Sequence, residues 1–124
     1  MTLCYVALGG ALGAVTRYAI SGYYLAHANK YFPFGTLLVN ISGCLAIGYF
    51  VAYFQAEECP WSDSVKLGIT AGLLGGLTTF STFSLETLSL IQNEQIIKAI
   101  LNTLLSVVLG VLAVLLGMHI FSTR

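Results

Sequence analysis

Charge is what this chain lacks. Asp, Glu, Lys and Arg make up 8% of its 124 residues, five acidic and five basic, while 57% are hydrophobic. Soluble domains run at about 25% charged residues. Too few charges are present to cover a water-facing surface, so the class is integral membrane. Zero net charge leaves neither a basic patch for nucleic acid nor an acidic tail. The three cysteines, Cys4, Cys44 and Cys59, are scattered, with no zinc-site or disulfide spacing. Within an apolar segment a free thiol behaves as a small hydrophobe. There is no nucleotide motif, and only Arg17 and Glu86 are charged near membrane depth, with no carboxylate pair there, no His-x-x-x-His and no plausible Ser/His/Asp set. Enzyme chemistry is therefore not expected. Proton relays in membranes are built from Asp, Glu or His, and Glu86 is the one candidate.

What is present is four apolar runs, at about 3–26, 34–56, 64–90 and 96–121. Each has the roughly 20 residues needed to cross a bilayer. They predict an all-α membrane domain of four transmembrane helices with three short loops. The first run is not preceded by Lys or Arg and is interrupted by Arg17. Despite Ala26-His27-Ala28, it is expected to stay as a helix, not to be cleaved as a signal. Arg17 has two open readings: a snorkelling side chain at an interface, or a charge facing a protein interior or wet cavity. Gly9/Gly13 and Gly10/Ala14 give the small-xxx-small spacing of close helix contacts. Gly68, Gly72 and Gly76 make a similar flat face on the third run. Both faces invite a partner, and a homodimer is expected.

The polar residues inside these runs carry the chemistry. In the second run, which opens after Pro33, Thr36 and Asn40 are one turn apart. Asn40 is either interhelical glue or a donor on an ion path. In the fourth run Asn102, Ser106 and Gly110 form a stripe at i, i+4 and i+8, longer than one hydrogen bond requires. The third run holds GGLTTFSTF from Gly75 to Phe83, in a stretch without charge from Leu67 to Leu85. Hydroxyl side chains that compete for backbone bonds follow directly on a glycine pair, which predicts a break in this helix near its middle. Exposed backbone at membrane depth is tolerated only inside protein or along a wet path. Donors without carboxylates favour an anion, and the positive edges of Phe80 and Phe83 suit one too. Basic residues are balanced, Lys66 and Arg124 against Lys30 and Lys98. The positive-inside rule then gives no orientation, which predicts dual topology and permits an antiparallel two-fold dimer.

GGALGAVTRY (Gly9 to Tyr18), PFGTLLVNISG (Pro33 to Gly43) and GLLGGLTTFSTFSLE (Gly72 to Glu86) resemble, in order, motifs of the Fluc or CrcB family of bacterial fluoride channels. The resemblance covers essentially the whole chain. It implies an antiparallel dual-topology homodimer in the bacterial inner (plasma) membrane, with two pores that export fluoride passively and so relieve its toxicity. It implies that Phe80, Phe83, Asn40, Thr82, Ser106 and Asn102 line the fluoride pathway. Arg17, Thr36 and Glu86 would be vestibule or structural residues. Backbone carbonyls of Gly75 and Thr78 would hold a structural sodium ion. Gly110 stands where the polar track continues, without a side-chain donor. The competing readings are a small dual-topology proton-coupled exporter using Glu86, and a non-transporting assembly factor.

Overall fold

The computed structural model describes residues 1–27, 32–56 and 59–123, excluding the side chains of 24–27. Lys30, Arg124 and Ala28, which entered the sequence reading, lie outside the described residues. The described residues contain helices and turns and no strand. The order is α1 (Thr2–His27), α2 (Phe34–Gln55), α3 (Asp63–Leu67), a π-helical stretch (Gly68–Leu74), α4 (Gly75–Leu77), α5 (Phe80–Gln92) and α6 (Ile96–Ser122). Among them α1, α2 and α6 are long and apolar enough to cross a membrane singly. Segment 63–92 fits as a fourth crossing made of several helical pieces.

Local chemistry sets the ends. Pro33 precedes α2 and its carbonyl accepts from Leu37 N at 3.1 Å, so the ring that cannot donate stands where no donor is needed. Beyond α5 the chain reverses through Glu94, at φ 60°. Gln95 N donates to Leu90 O at 2.9 Å and Glu94 N to Ile91 O at 3.0 Å. This is the paired capping of a Schellman turn, with glutamate where glycine is usual. The short connection makes α5 and α6 antiparallel neighbours.

Glycine contacts set the packing. α1 lies against the π-helical stretch and α4, and α2 against α6. A Cβ on Gly72 would stand 2.7 Å from Val6 O, one on Gly76 2.6 Å from Gly10 O, and one on Gly13 would overlap Leu73 O. The two small-residue faces therefore meet each other within one chain. That corrects the expectation that they invite a second copy: periodicity reveals a close contact but not its partner. Gly48 and Gly117 play the same part between α2 and α6, where Cβ atoms would overlap Val114 O and Leu45 O. The outer face of α6 exposes Leu104, Val108, Val111 and Leu115, as lipid-facing residues do. At one end Tyr53 packs edge-on to Trp61 and Phe121, with ring centroids 6.3 and 5.7 Å away. Such amphipathic rings anchor a helix bundle at a bilayer interface.

Candidate functional site

The run from Gly75 to Phe83 determines the site. α4 stops at Leu77, Thr78 and Thr79 are extended (φ −80°, ψ 153° and φ −150°, ψ 117°), and α5 begins at Phe80. Two side chains hold this interruption. Asn40 on α2 bridges Thr79: its Oδ1 accepts from Thr79 N at 2.8 Å, and its Nδ2 donates to Thr79 O at 3.1 Å. Thr79 then caps α5, its Oγ1 accepting from Thr82 N at 3.2 Å. The same hydroxyl donates to Thr82 Oγ1 at 3.0 Å.

These bonds have a consequence for the backbone. In an unbroken helix Thr79 N would bond the Gly75 carbonyl, and Thr82 N the Thr78 carbonyl. Here Asn40 and the Thr79 hydroxyl take those two N–H groups. The Gly75 and Thr78 carbonyls are thereby released from their helical donors, and both residues border one cavity.

That cavity is about 320 Å³ and gathers residues from α2, the π-helical stretch, α4, α5 and α6. Asn40, Gly43 and Cys44 come from α2, Phe80 and Phe83 from α5, and Ser106 from α6, with Gly75, Thr78 and Thr79 at the interruption. Among the described residues no charged side chain lines it. Phe80 and Phe83 stand with ring centroids 5.5 Å apart and planes tilted by 46°. Ser106 Oγ is buried without a hydrogen-bond partner, so a donor is held ready at the wall. Asn40 keeps one amide N–H beyond the one it gives to Thr79.

Other candidates sit elsewhere. Asn102 is 1% exposed; its Nδ2 donates to Thr87 Oγ1 at 2.9 Å, which in turn donates to Phe83 O at 2.8 Å. It thus braces α6 against the helix that carries the phenylalanines. Thr82 is engaged with the Thr79 cap and does not line the cavity. Thr36 Oγ1 donates to Glu86 Oε1 at 2.7 Å, and Glu86 Oε2 is buried without a partner. Arg17 is half-buried on α1 and does not line the cavity. No group of three or more His, Cys, Asp or Glu that could hold a metal occurs among the described residues.

Two residues were passed over in the sequence reading. Thr79 lies within GGLTTFSTF, but its capping and bridging depend on dihedrals that composition does not reveal. Cys44 read as a small hydrophobe, although its i+4 spacing from Asn40 places both on one face.

Helices with lipid-type surfaces beside an open, uncharged, donor-lined cavity define a multi-pass membrane protein. Comparison with known proteins makes the assignment specific: residues 4–118 match the family described as "CrcB-like protein, Camphor Resistance (CrcB)". The chain belongs to the CrcB family. It is 47% identical over 122 residues to the fluoride-specific ion channel FluC of Shewanella woodyi, covering 98% of this chain and 97% of that one. The protein of the same name from Methylobacterium radiotolerans is 44% identical over 117 residues, covering 94% and 81%. That from Flavobacterium psychrophilum is 42% identical over 119 residues, covering 96% and 95%.

Proposed function

We propose that this protein is a fluoride-selective passive channel of the bacterial inner membrane, not an enzyme, and that it lets fluoride leave the cell down its electrochemical gradient. The observation that carries this reading is the cavity. It joins the Asn40 amide, the unpartnered Ser106 hydroxyl and two phenyl rings, with no charged wall, in a chain whose relatives are named fluoride channels. Fluoride is small and strongly hydrated, so it needs replacement donors throughout its path. Its binding must stay weak enough for exit, which uncharged donors allow.

Fluoride efflux from proteoliposomes, with valinomycin and potassium to relieve charge build-up, tests the reading. Efflux is expected without any proton gradient. One observation favours the exporter instead: Glu86 has a buried, unpartnered carboxylate oxygen inside segment 63–92. Efflux that requires a proton gradient and disappears in Glu86→Gln would establish that mechanism. No efflux at all would point to the assembly factor.

The reading includes an antiparallel homodimer with two pores, in which the interruption at Thr78–Thr79 lies at membrane depth and faces its counterpart. Support comes from the balanced Lys and Arg residues, not from the glycine stripes, which are filled within one chain. Reporters at the C-terminus, active only inside or only outside the cell, are expected to signal on both sides. Signal from one side alone would sink dual topology.

A structural sodium ion belongs to the same reading, held by the Gly75 and Thr78 carbonyls of both subunits. The fit is supported by the two carbonyls whose helical donors go elsewhere, since a hard cation prefers oxygen ligands. When bound, the ion would neutralise facing carbonyl dipoles at the dimer axis. Replacing sodium by a large organic cation is expected to lower flux or loosen the dimer on size exclusion. Unchanged behaviour after exhaustive removal would count against the site.

A further inference from the structure

We propose that Cys44 lines the anion path and that its thiol supplies the hydrogen-bond donor missing at Gly110. This rests on the channel reading above and deepens it. On α6 the stripe Asn102, Ser106, Gly110 ends in a buried glycine without a donor. The space beside that glycine is taken from the opposite helix. A Cβ built on Gly110 would meet one side-chain atom within 4 Å, Cys44 Sγ, at 3.6 Å. Cys44 is one turn beyond Asn40 on α2, and both line the cavity that Ser106 also lines. The Ser106 hydroxyl, buried and without a partner, independently marks this wall as one prepared for a hydrogen-bonding ligand.

The donor succession therefore changes helix. An anion leaving Asn40 and Ser106 next meets the α2 thiol where a second hydroxyl on α6 would otherwise stand. An S–H group is a weaker donor than O–H. It offers a strongly hydrated anion a partner without holding it, as a conducting path requires. The same spacing explains why a glycine is tolerated on α6: the sulfur fills the adjacent volume.

The test is proteoliposome fluoride efflux in a Cys4→Ala/Cys59→Ala background, which leaves Cys44 as the one thiol. Absence of efflux in this background and in the wild type would remove the channel reading, and the thiol's role with it. With efflux established, Cys44→Ala is expected to lower the rate about fivefold, the effect of one modest hydrogen bond. Cys44→Ala/Gly110→Ser returns the donor to α6 and is expected to recover most of that loss. Methyl methanethiosulfonate reports on access. The thiol loses its proton, displaces methanesulfinate and forms a methyl disulfide that narrows the path, lowering flux at least about tenfold. Cys44→Ser is expected to conduct and to ignore the reagent. Unchanged flux in Cys44→Ala, or a loss that Gly110→Ser does not recover, overturns the proposal. So does full flux from protein whose Cys44 is shown by mass spectrometry to carry the methylthio group, and so does failure of Cys44 to label.

Discussion

Asn40→Leu is expected to lower fluoride flux about a hundredfold or more and to make the Thr79 amide exchange rapidly with solvent. The size of the effect follows from what Asn40 does. It is not merely a donor on a wall; it takes the place of the helical hydrogen bond that Thr79 N would make and adds a second bond to Thr79 O. An ordinary interhelical hydrogen bond within a membrane is worth about 0.6–2 kcal/mol. Removing Asn40 costs more, because the Thr79 backbone N–H remains without a partner where water is scarce. Each such group costs about 1–3 kcal/mol, and about 1.4 kcal/mol corresponds to a factor of ten. The extended geometry of Thr78 and Thr79 loses its brace, and the Thr82 cap and the cavity wall depend on that geometry. Asn40→Asp separates bracing from donation. It keeps an acceptor for Thr79 N but sets a second oxygen against Thr79 O, and it adds a negative charge beside an anion path. It is expected to fold better than Asn40→Leu yet conduct no better. Normal flux in both variants, with a protected Thr79 amide, would show that the interruption holds itself.

Much of this arrangement was legible in the residues, and its limits have physical causes. Low charge and four apolar runs suffice for a helical membrane protein, because lipid admits few other structures. Hydroxyls after Gly75-Gly76 mark where the helix is weakest. They do not show that Thr79 N and Thr82 N turn to side chains, since that needs α2 alongside. The glycine faces of α1 and segment 63–92 were legible as contacts, but a flat face carries no label for its partner, and here each fills the other. The stripe on α6 is a matter of helical pitch. Residues four apart drift by about 40° per step at 3.6 residues per turn. Asn102, Ser106 and Gly110 therefore fan across the face: Asn102 reaches Thr87, Ser106 the cavity, and Gly110 the sulfur of Cys44. Cys44 was hidden by its chemistry, because an apolar thiol in an apolar run raises no signal until its neighbours are known.

Phe80→Ile and Phe83→Ile are each expected to reduce flux about tenfold, and the double variant more, while the protein still assembles. The two rings line the cavity together, 5.5 Å apart. Phe80 is 79% exposed in the single chain, immediately after the interruption, whereas Phe83 is half-buried. Two roles compete for them. If they only fill space, isoleucine keeps apolar bulk, and swaps of this kind cost under about 1.5 kcal/mol in folding; an exposed Phe80 would cost less still. If their edges face an anion, isoleucine removes the positive ring edge and offers nothing in return. Aromatic electrostatics of this sort is worth about 0.5–1.5 kcal/mol per ring, which at about 1.4 kcal/mol per decade gives the expected loss. The two roles thus differ in which measurement moves. Packing alters stability at both positions and leaves conduction per folded protein unchanged. Ring-edge stabilisation lowers conduction per folded protein and barely moves stability at Phe80. Flux normalised to folded protein, measured beside resistance to unfolding in detergent, distinguishes them. Wild-type flux in both single variants would return the rings to packing and leave Asn40, Ser106 and Cys44 as the cavity's remaining means of replacing fluoride's water.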